Sequence, residues 1–96
     1  MSTVDSTTRL RRNPDVVARE LGPGSGGVLL HLKTGAYHSL NAVGQAVWDL
    51  IDGERTVGMI AADLRARVTG APSELEANVE QFLQSALERD LVSIVD

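Results

Sequence analysis

The chain has two histidines, His31 and His38, on either side of a Thr-Gly pair at positions 34–35. A Thr-Gly pair between two apolar runs is typical of a tight turn, so the two imidazoles are candidates for cross-strand neighbours. Two imidazoles and a carboxylate would suit zinc, which takes nitrogen and oxygen ligands. The nearest acids in sequence, Glu20 and Asp49, offer no evident third ligand. We therefore interpret one histidine as a surface residue and the other as partly buried on a strand, and we expect no metal site.

The other polar residues form no recognisable catalytic constellation. The absence of cysteine excludes a cysteine nucleophile, a disulfide framework and a thiolate metal site. The 13 carboxylates are scattered along predicted helix faces and near helix starts, where they offset the macrodipole. The segment "GPGSGG" (22–27) lacks the lysine of a phosphate-binding loop and does not open a helix, so we interpret it as a flexible connector. We expect a protein that is not an enzyme and that uses no cofactor.

Length and charge restrict the remaining classes. A chain of 96 residues suits one domain with a modest core. The net charge of −4 opposes non-specific attraction to nucleic acid or anionic membranes, and we interpret the basic cluster "RLRR" (9–12) as a solvated lead-in. No segment approaches the roughly 20 apolar residues of a membrane helix, and the N-terminus has no signal-peptide pattern. We expect a cytoplasmic protein with neither nucleic acid nor membrane as a partner.

The first half of the chain is predicted to form strands. Residues 1–12 are predicted to be a disordered or flexible lead-in, and residues 13–96 to be the folded domain. The segment "PDVVARELG" (14–22) is predicted to be an edge strand, because its proline cannot donate to a ladder. Residues 28–33 and 36–40 are predicted to form a hairpin.

Two registers of that hairpin are compatible with the sequence. A two-residue loop would pair His31 with His38, whereas a three-residue loop with Gly35 in the left-handed region would pair Leu30 with His38. We favour the three-residue loop, because it places one set of apolar side chains on a single buried face. That set is Val28, Leu30, Leu32 and Leu40.

The second half is predicted to form three helices. Asn41 is a suitable N-cap for the first helix, which ends at Gly53, and Thr56 caps the second, which ends at "TGAP" (69–72). The third helix starts at "SELE" (73–76), where Ser73 and Glu76 are spaced as a capping box. Its apolar stripe consists of Leu75, Val79, Phe82, Leu83, Ala86 and Leu87. The tail "LVSIV" (91–95) is either a final short strand or an extended segment over the core.

Three strands followed by three helices predict an α+β domain, in which a three-stranded antiparallel sheet is covered on one face. This order is winged-helix-like. A DNA-binding role for the third helix is disfavoured, because its acids outnumber the single Arg89 and would be repelled by phosphates. The alternative is that the free edge of residues 36–40 pairs with an extended peptide, with pockets on the third helix and an acidic rim that would prefer basic or neutral flanks.

A family resemblance supports the peptide-binding alternative. The segment "VLLHLKTGAYHSLNAVGQAVWDLIDGERTVGMIAADL" (28–64), followed by a long amphipathic helix, resembles the PqqD-like proteins. These are recognition elements for the precursors of ribosomally made, post-translationally modified peptides (RiPPs). The resemblance implies that a precursor leader adds as a strand to the third strand, beside the third helix. It places the peptide-binding residues at Ala36, Tyr37, His38, Ser39, Leu40, Leu75, Val79, Phe82, Leu83 and Ala86.

The hairpin segment "LKTGAYHSLN" lacks the Pro-Glu-containing stretch that is usual in the pyrroloquinoline quinone pathway. The chain is more similar to the stand-alone recognition proteins of lasso-peptide biosynthesis. That resemblance implies a non-catalytic adaptor or peptide chaperone in natural product biosynthesis, which delivers the precursor to a leader peptidase and to other modifying enzymes, such as a cyclase. A PqqD-type chaperone for a radical SAM enzyme is the alternative. The exposed edge leaves both a monomer and an edge-paired dimer open.

Overall fold

The computed structural model describes residues 4–22, 25–67, 70 and 73–95. Within them the chain forms five strands and three helices, which we number in chain order. The strands are β1 (Leu10–Arg12), β2 (Val16–Glu20), β3 (Gly27–His31), β4 (Tyr37–Leu40) and β5 (Val92–Ile94). The helices are α1 (Ala42–Leu50), α2 (Val57–Arg67) and α3 (Leu75–Glu88).

The main sheet is antiparallel and has the strand order β2-β3-β4, so β2 and β4 are its two edges. The prediction of an α+β fold, with a three-stranded antiparallel sheet followed by three helices, is confirmed. Alternate residues of β3 are buried, beginning with Gly27, while Val28 and Leu30 are half-buried on the outer face. Such alternation is expected of a strand with one face on the core.

Neither predicted hairpin register is present. Leu30 pairs with Tyr37 and Leu29 with His38, so the connection between β3 and β4 is longer than a two- or three-residue loop. The buried side chains of β3 are accordingly Leu29 and His31, and Leu32 is 58% exposed. Gly35 does adopt the left-handed region, with φ of 74°, and its N–H donates to the His31 carbonyl at 2.8 Å. The left-handed conformation of Gly35 was therefore predicted correctly, and the buried face of β3 was predicted wrongly.

The helix starts follow local chemistry in two of three cases. The Asn41 side chain accepts a hydrogen bond from the Gly44 N–H at 2.7 Å, and the Thr56 hydroxyl accepts one from the Met59 N–H at 3.2 Å. The predicted capping box at the start of α3 is absent, because the N-cap residue is Glu74 and its side chain makes no capping bond. Glu76 instead pairs with Arg65 on α2. The end of the second predicted helix at 69–72 lies largely outside the described residues.

The chain before residue 13 belongs to the folded part wherever it is described, in contrast to the predicted lead-in. Strand β1 pairs antiparallel with β5, which confirms the tail as a strand. Leu10 is buried, and the Arg12 guanidinium lies over the Trp48 ring at 5.9 Å from its centroid. The Val4 N–H donates to the Gln84 side chain at 2.8 Å. The basic cluster thus contains β1, which covers one side of the core through Leu10.

The glycine-rich segment also does more than connect, although residues 23–24 lie outside the described residues. Gly26 and Gly27 are buried, and Gly27 begins β3. Gly26 has φ of 78°, and a Cβ there would overlap the Leu40 carbonyl oxygen. Only glycine permits both this backbone conformation and this approach. Gly26 therefore allows β3 to lie close to the end of β4.

One core joins the helices to both sheets. Its largest buried side chain is Trp48 of α1, which is 1% exposed and is packed with leucines, isoleucines and valines from every helix. Leu29 and Leu40 bring the main sheet into this core, and Leu10 and Val92 bring in the β1–β5 pair. In the described part of the chain, no helix has the length and apolar character needed to cross a membrane.

Candidate functional site

The open edge of β4 is the first component of the candidate site. The His31 N–H donates to the Ala36 carbonyl at 3.0 Å, which fixes the hydrogen-bonding phase of the β3–β4 ladder. In an antiparallel ladder, alternate residues direct their backbone groups to the same neighbour. His38 and Leu40 therefore point their N–H and C=O groups at β3, whereas Tyr37 and Ser39 point theirs away from it. These two residues supply the free donors and acceptors of the edge.

A groove between β4 and α3 is the second component. It consists of two hollows of about 270 and 140 Å³, and the half-buried Phe82 ring borders both. The larger hollow lies between α3 and the start of α1, and its lining is Asn41, Val43, Gly44, Val47, Asn78, Val79 and Phe82. The smaller one lies beside β4, and its lining is His38, Ser39, Leu40, Phe82, Ser85, Ala86, Arg89 and Leu91. We call the two hollows together the β4–α3 groove.

The predicted β4 residues divide between the two faces of the sheet. Leu40 is buried in the core and His38 is half-buried on the same side, which is the side of the helices. Tyr37 is 73% exposed on the outer face, where it borders a different hollow with Val28 and Leu30. Ser39 is exposed, as is Ala36, which precedes the strand. The register therefore directs His38, and not Tyr37, towards α3.

The predicted α3 residues also divide. Leu75, Val79, Leu83 and Ala86 are all at least 97% buried. Of these four, Val79 and Ala86 border the groove, while Leu75 and Leu83 border neither hollow and pack in the core. Phe82 is the predicted residue that both hollows share. The side chains of the core stripe and those of the groove are therefore largely different.

The apolar stripe did not reveal three groove-facing residues, which are Asn78 and Ser85 of α3 and Arg89 at its C-cap. Together with Phe82 they recur at intervals of three or four, which places them on one helix face. Asn78, Phe82 and Ser85 each precede a core residue by one position, and Arg89 follows the last residue of α3. This face of the helix is therefore adjacent to the buried face. The signal was present in the sequence as a second stripe that is polar except for Phe82.

The charge of the groove differs from the predicted acidic rim, because Arg89 is the one charged residue in the described lining. Its Nη1 lies 3.3 Å from His38 Nδ1. Two acids near the ends of α3 are turned to other partners: Glu76 accepts two hydrogen bonds from Arg65 at 2.8 and 2.7 Å, and Asp90 lies 3.2 Å from His31. The hydrogen bonds from Arg65 lower the pKa of Glu76 to about 2.

His31 is a structural residue beside this site. It is 2% exposed, so the prediction of a surface and a partly buried histidine is wrong for His31. Its Nδ1 accepts from the Lys33 N–H at 3.2 Å, so Nε2 donates to the Asp90 carboxylate. Asp90 in turn adopts the left-handed region, with φ of 61°, and its carbonyl accepts from the Asn13 side chain at 2.7 Å. This cluster ties the end of α3 to β3.

The two histidines do not come together. His31 is the last residue of β3, where it pairs with Val16 of β2 and its ring faces Asp90, while His38 pairs with Leu29 and contacts Arg89. Across the described ranges, the structure contains no group of three histidine, cysteine or acidic side chains that could hold a metal ion.

The chain is similar to known proteins both in sequence and in fold. Residues 26–92 match the family model described as "Coenzyme PQQ synthesis protein D (PqqD)". The fold is similar to that of a solved structure, "TbiB1 in Complex with the TbiA(beta) Leader Peptide", with a TM-score of 0.73 and 26% sequence identity. The similarity covers 86% of this chain and 94% of that one. A search of curated proteins found no match.

Proposed function

Because this chain belongs to the PqqD family, and is a PqqD-like RiPP recognition element, we propose that it binds the leader of a ribosomal precursor peptide. The leader adds as an extended strand to β4 and places alternate side chains in the β4–α3 groove. The protein then acts by holding its partner, and it performs no chemistry on it. A likeness to a recognition protein that was solved with a leader peptide supports this proposal.

The observation that carries the proposal is the coincidence of an open strand edge and an apolar groove. Tyr37 and Ser39 offer backbone groups in the geometry of a ladder, and these pair with any extended peptide. The hollows around Phe82 lie on the helix side of the same edge. A peptide that follows β4 directs every second side chain to that side. Backbone pairing supplies affinity, and the hollows supply selectivity.

We further propose that the chain serves lasso-peptide biosynthesis as a cytoplasmic adaptor that delivers the precursor to a leader peptidase and to other modifying enzymes, a cyclase among them. The absence of the Pro-Glu-containing segment at the hairpin favours this pathway. A PqqD-type chaperone for a radical SAM enzyme, in pyrroloquinoline quinone or another RiPP pathway, is the second candidate, favoured by the family match. Cleavage of the precursor by its peptidase, with and without this protein, tests delivery, and an unchanged rate contradicts it.

The binding mode is tested by NMR titration of the ¹⁵N-labelled protein with a synthetic leader from its cognate precursor. We expect the amides of Tyr37 and Ser39 to shift together with those of Asn78, Phe82 and Arg89. Shifts confined to α2 or to the β1–β5 pair would contradict strand addition at β4. Because the edge that binds the leader is also free to pair with a second copy, sedimentation with and without leader distinguishes a monomer from an edge-paired dimer.

A further inference from the structure

Arg89 occupies the hairpin end of the β4–α3 groove. It follows the last residue of α3, and its guanidinium contacts His38 across the smaller hollow at 3.3 Å. In the described chain, Arg55 and Arg65 each form an ion pair with a carboxylate. Arg89 faces none there, since its one side-chain partner is an imidazole. A full positive charge therefore stands at the end of an otherwise uncharged groove.

The groups around Arg89 are arranged as donors. A guanidinium only donates, so His38 Nδ1 accepts and its Nε2 carries the hydrogen. The Ser39 N–H points to the open edge, and the Ser85 hydroxyl also borders this hollow. Arg89, His38 and Ser85 thus line one small hollow, and each side chain has a donor beyond the Arg89–His38 contact. Such a set complements an anionic acceptor and leaves a cationic or apolar group without partners.

The two ends of the groove differ in chemistry. Towards α1, the larger hollow is lined mainly by apolar side chains, with Asn41 and Asn78 as its polar residues, and it contains no charged residue. Towards the hairpin, Arg89 and His38 define the smaller one. Phe82 and Arg89 are seven positions apart on the chain, which corresponds to roughly 10 Å along a helix axis. Residues of an added strand rise by about 3.3 Å each, and alternate ones face the helix.

On the premise of the proposed function, we propose that the hairpin end of the groove is a carboxylate subsite formed by Arg89 and His38. It reads an aspartate or glutamate side chain of the bound strand. The spacing places this acid two or four residues from the large apolar side chain that fills the hollow beside Phe82. The recognised segment is therefore an acidic-apolar peptide and not a basic one, in contrast to the preference that the acidic residues of α3 indicated.

The test uses an mRNA-displayed library of random twelve-residue peptides, selected separately on the wild-type protein and on R89E. We expect wild type to enrich an acid two or four residues from a large apolar residue, and R89E to enrich lysine or arginine at the same spacing. R67E, which makes the same charge change on the exposed last turn of α2, is the matched control and should select as wild type does.

The strongest wild-type peptide is then measured by fluorescence anisotropy, alongside its Glu→Gln or Asp→Asn counterpart. We expect wild type to lose about 3- to 10-fold in affinity for the amide peptide, as for a charge-assisted pair that is partly exposed, and R89Q to bind both peptides equally. Equal binding of both peptides by wild type, with Tyr37 and Ser39 amides still shifted, would overturn the subsite and leave the proposed function standing. Peptides that fail to shift those amides, or a library with no enrichment, would overturn both.

Discussion

Phe82 links the two hollows of the groove, and it is the residue on which the proposed selectivity depends most. Its ring is half-buried, so it has one side on the core and one side available to a partner. Aromatic residues that fill such positions carry a large share of binding energy at many interfaces. Its neighbours in sequence, by contrast, are committed either to the core or to solvent.

We expect F82A to weaken leader binding by about 1–3 kcal/mol, the cost of truncating a hot-spot side chain. Isothermal titration calorimetry measures this loss, and thermal unfolding reports separately on stability. The matched control is L87A, on the same helix, because Leu87 is also half-buried against the core but borders neither hollow. Equal effects of both substitutions on affinity would show that Phe82 acts through the fold and not through the groove.

The sequence revealed the core face of α3 more clearly than its binding face. Apolar residues at helical spacing identify burial, and Leu75, Val79, Leu83 and Ala86 are buried accordingly. A groove needs residues that are neither fully buried nor fully exposed, and periodicity alone does not mark them. Phe82 was found because it is apolar, whereas Arg89 was not, since its role depends on where the end of α3 meets His38.

At the scale of elements, consecutive residues of β4 direct their backbone hydrogen-bonding groups to opposite sides of the strand. His38 and Leu40 hold the strand to β3, while Ser39 presents its N–H to the open edge. Proline removes an N–H and is tolerated at an edge strand where that N–H faces outwards. A substitution at Ser39 can therefore disrupt the proposed pairing with the leader and leave the β3–β4 pairing intact.

We expect S39P to retain the fold and to reduce leader binding by about tenfold or more, because it removes a main-chain donor and obstructs the approach of a strand. S39A keeps the N–H and serves as the control, with near wild-type affinity. Circular dichroism checks that the fold is retained, and calorimetry measures leader affinity. Wild-type affinity in a folded S39P would place the leader elsewhere than on the β4 edge.

The hairpin register illustrates why a local pattern was insufficient. A Thr-Gly pair predicts a short loop, and four aliphatic residues at alternate positions predict the buried face. The observed register instead buries His31, whose ring nitrogen meets Asp90 at a separation of 59 residues. Because a one-residue shift exchanges the two faces of a strand, this distant polar partner and Leu29 decide which face is buried. No spacing within the hairpin encodes that contact.

The contact between α2 and α3 gives a pH-dependent prediction. The Arg65 guanidinium lowers the pKa of Glu76 from 4.5 to about 2, so the folded state favours the ionised carboxyl. The unfolded state then binds more protons than the folded state between these two values, and stability falls as the pH falls through that range. We expect E76Q to have a slightly lower Tm than wild type at pH 7, and the difference to shrink below pH 4.5. A difference that grows on acidification would contradict this assignment.

For the whole molecule, closure of the core depends on residues that are far apart in sequence. Strand β1 meets β5 with Arg11 opposite Ser93, so the two ends of the described chain form one layer. The "RLRR" cluster resembles a solvated segment because only Leu10 in it is apolar, and that one side chain is 1% exposed. A strand of three residues whose partner lies at the other end of the chain leaves no periodicity to detect.

The distribution of charge predicts how recognition responds to salt. The molecule carries a net charge of −4, yet Arg89 is the one charged residue in the described lining of the groove. We therefore expect binding to depend on backbone pairing, apolar contacts and at most one ion pair. A single exposed pair is weak and is screened over about 10 Å at 0.1 M salt. We expect leader affinity to fall by less than about tenfold between roughly 50 and 500 mM NaCl, whereas a protein that contacts many phosphates loses several orders of magnitude.

Fluorescence anisotropy across this range measures how steeply leader affinity depends on salt, with R89Q as the control in which this dependence should be weaker still. A tenfold or greater loss, or a salt-dependent shift of duplex DNA, would instead indicate recognition driven by charge.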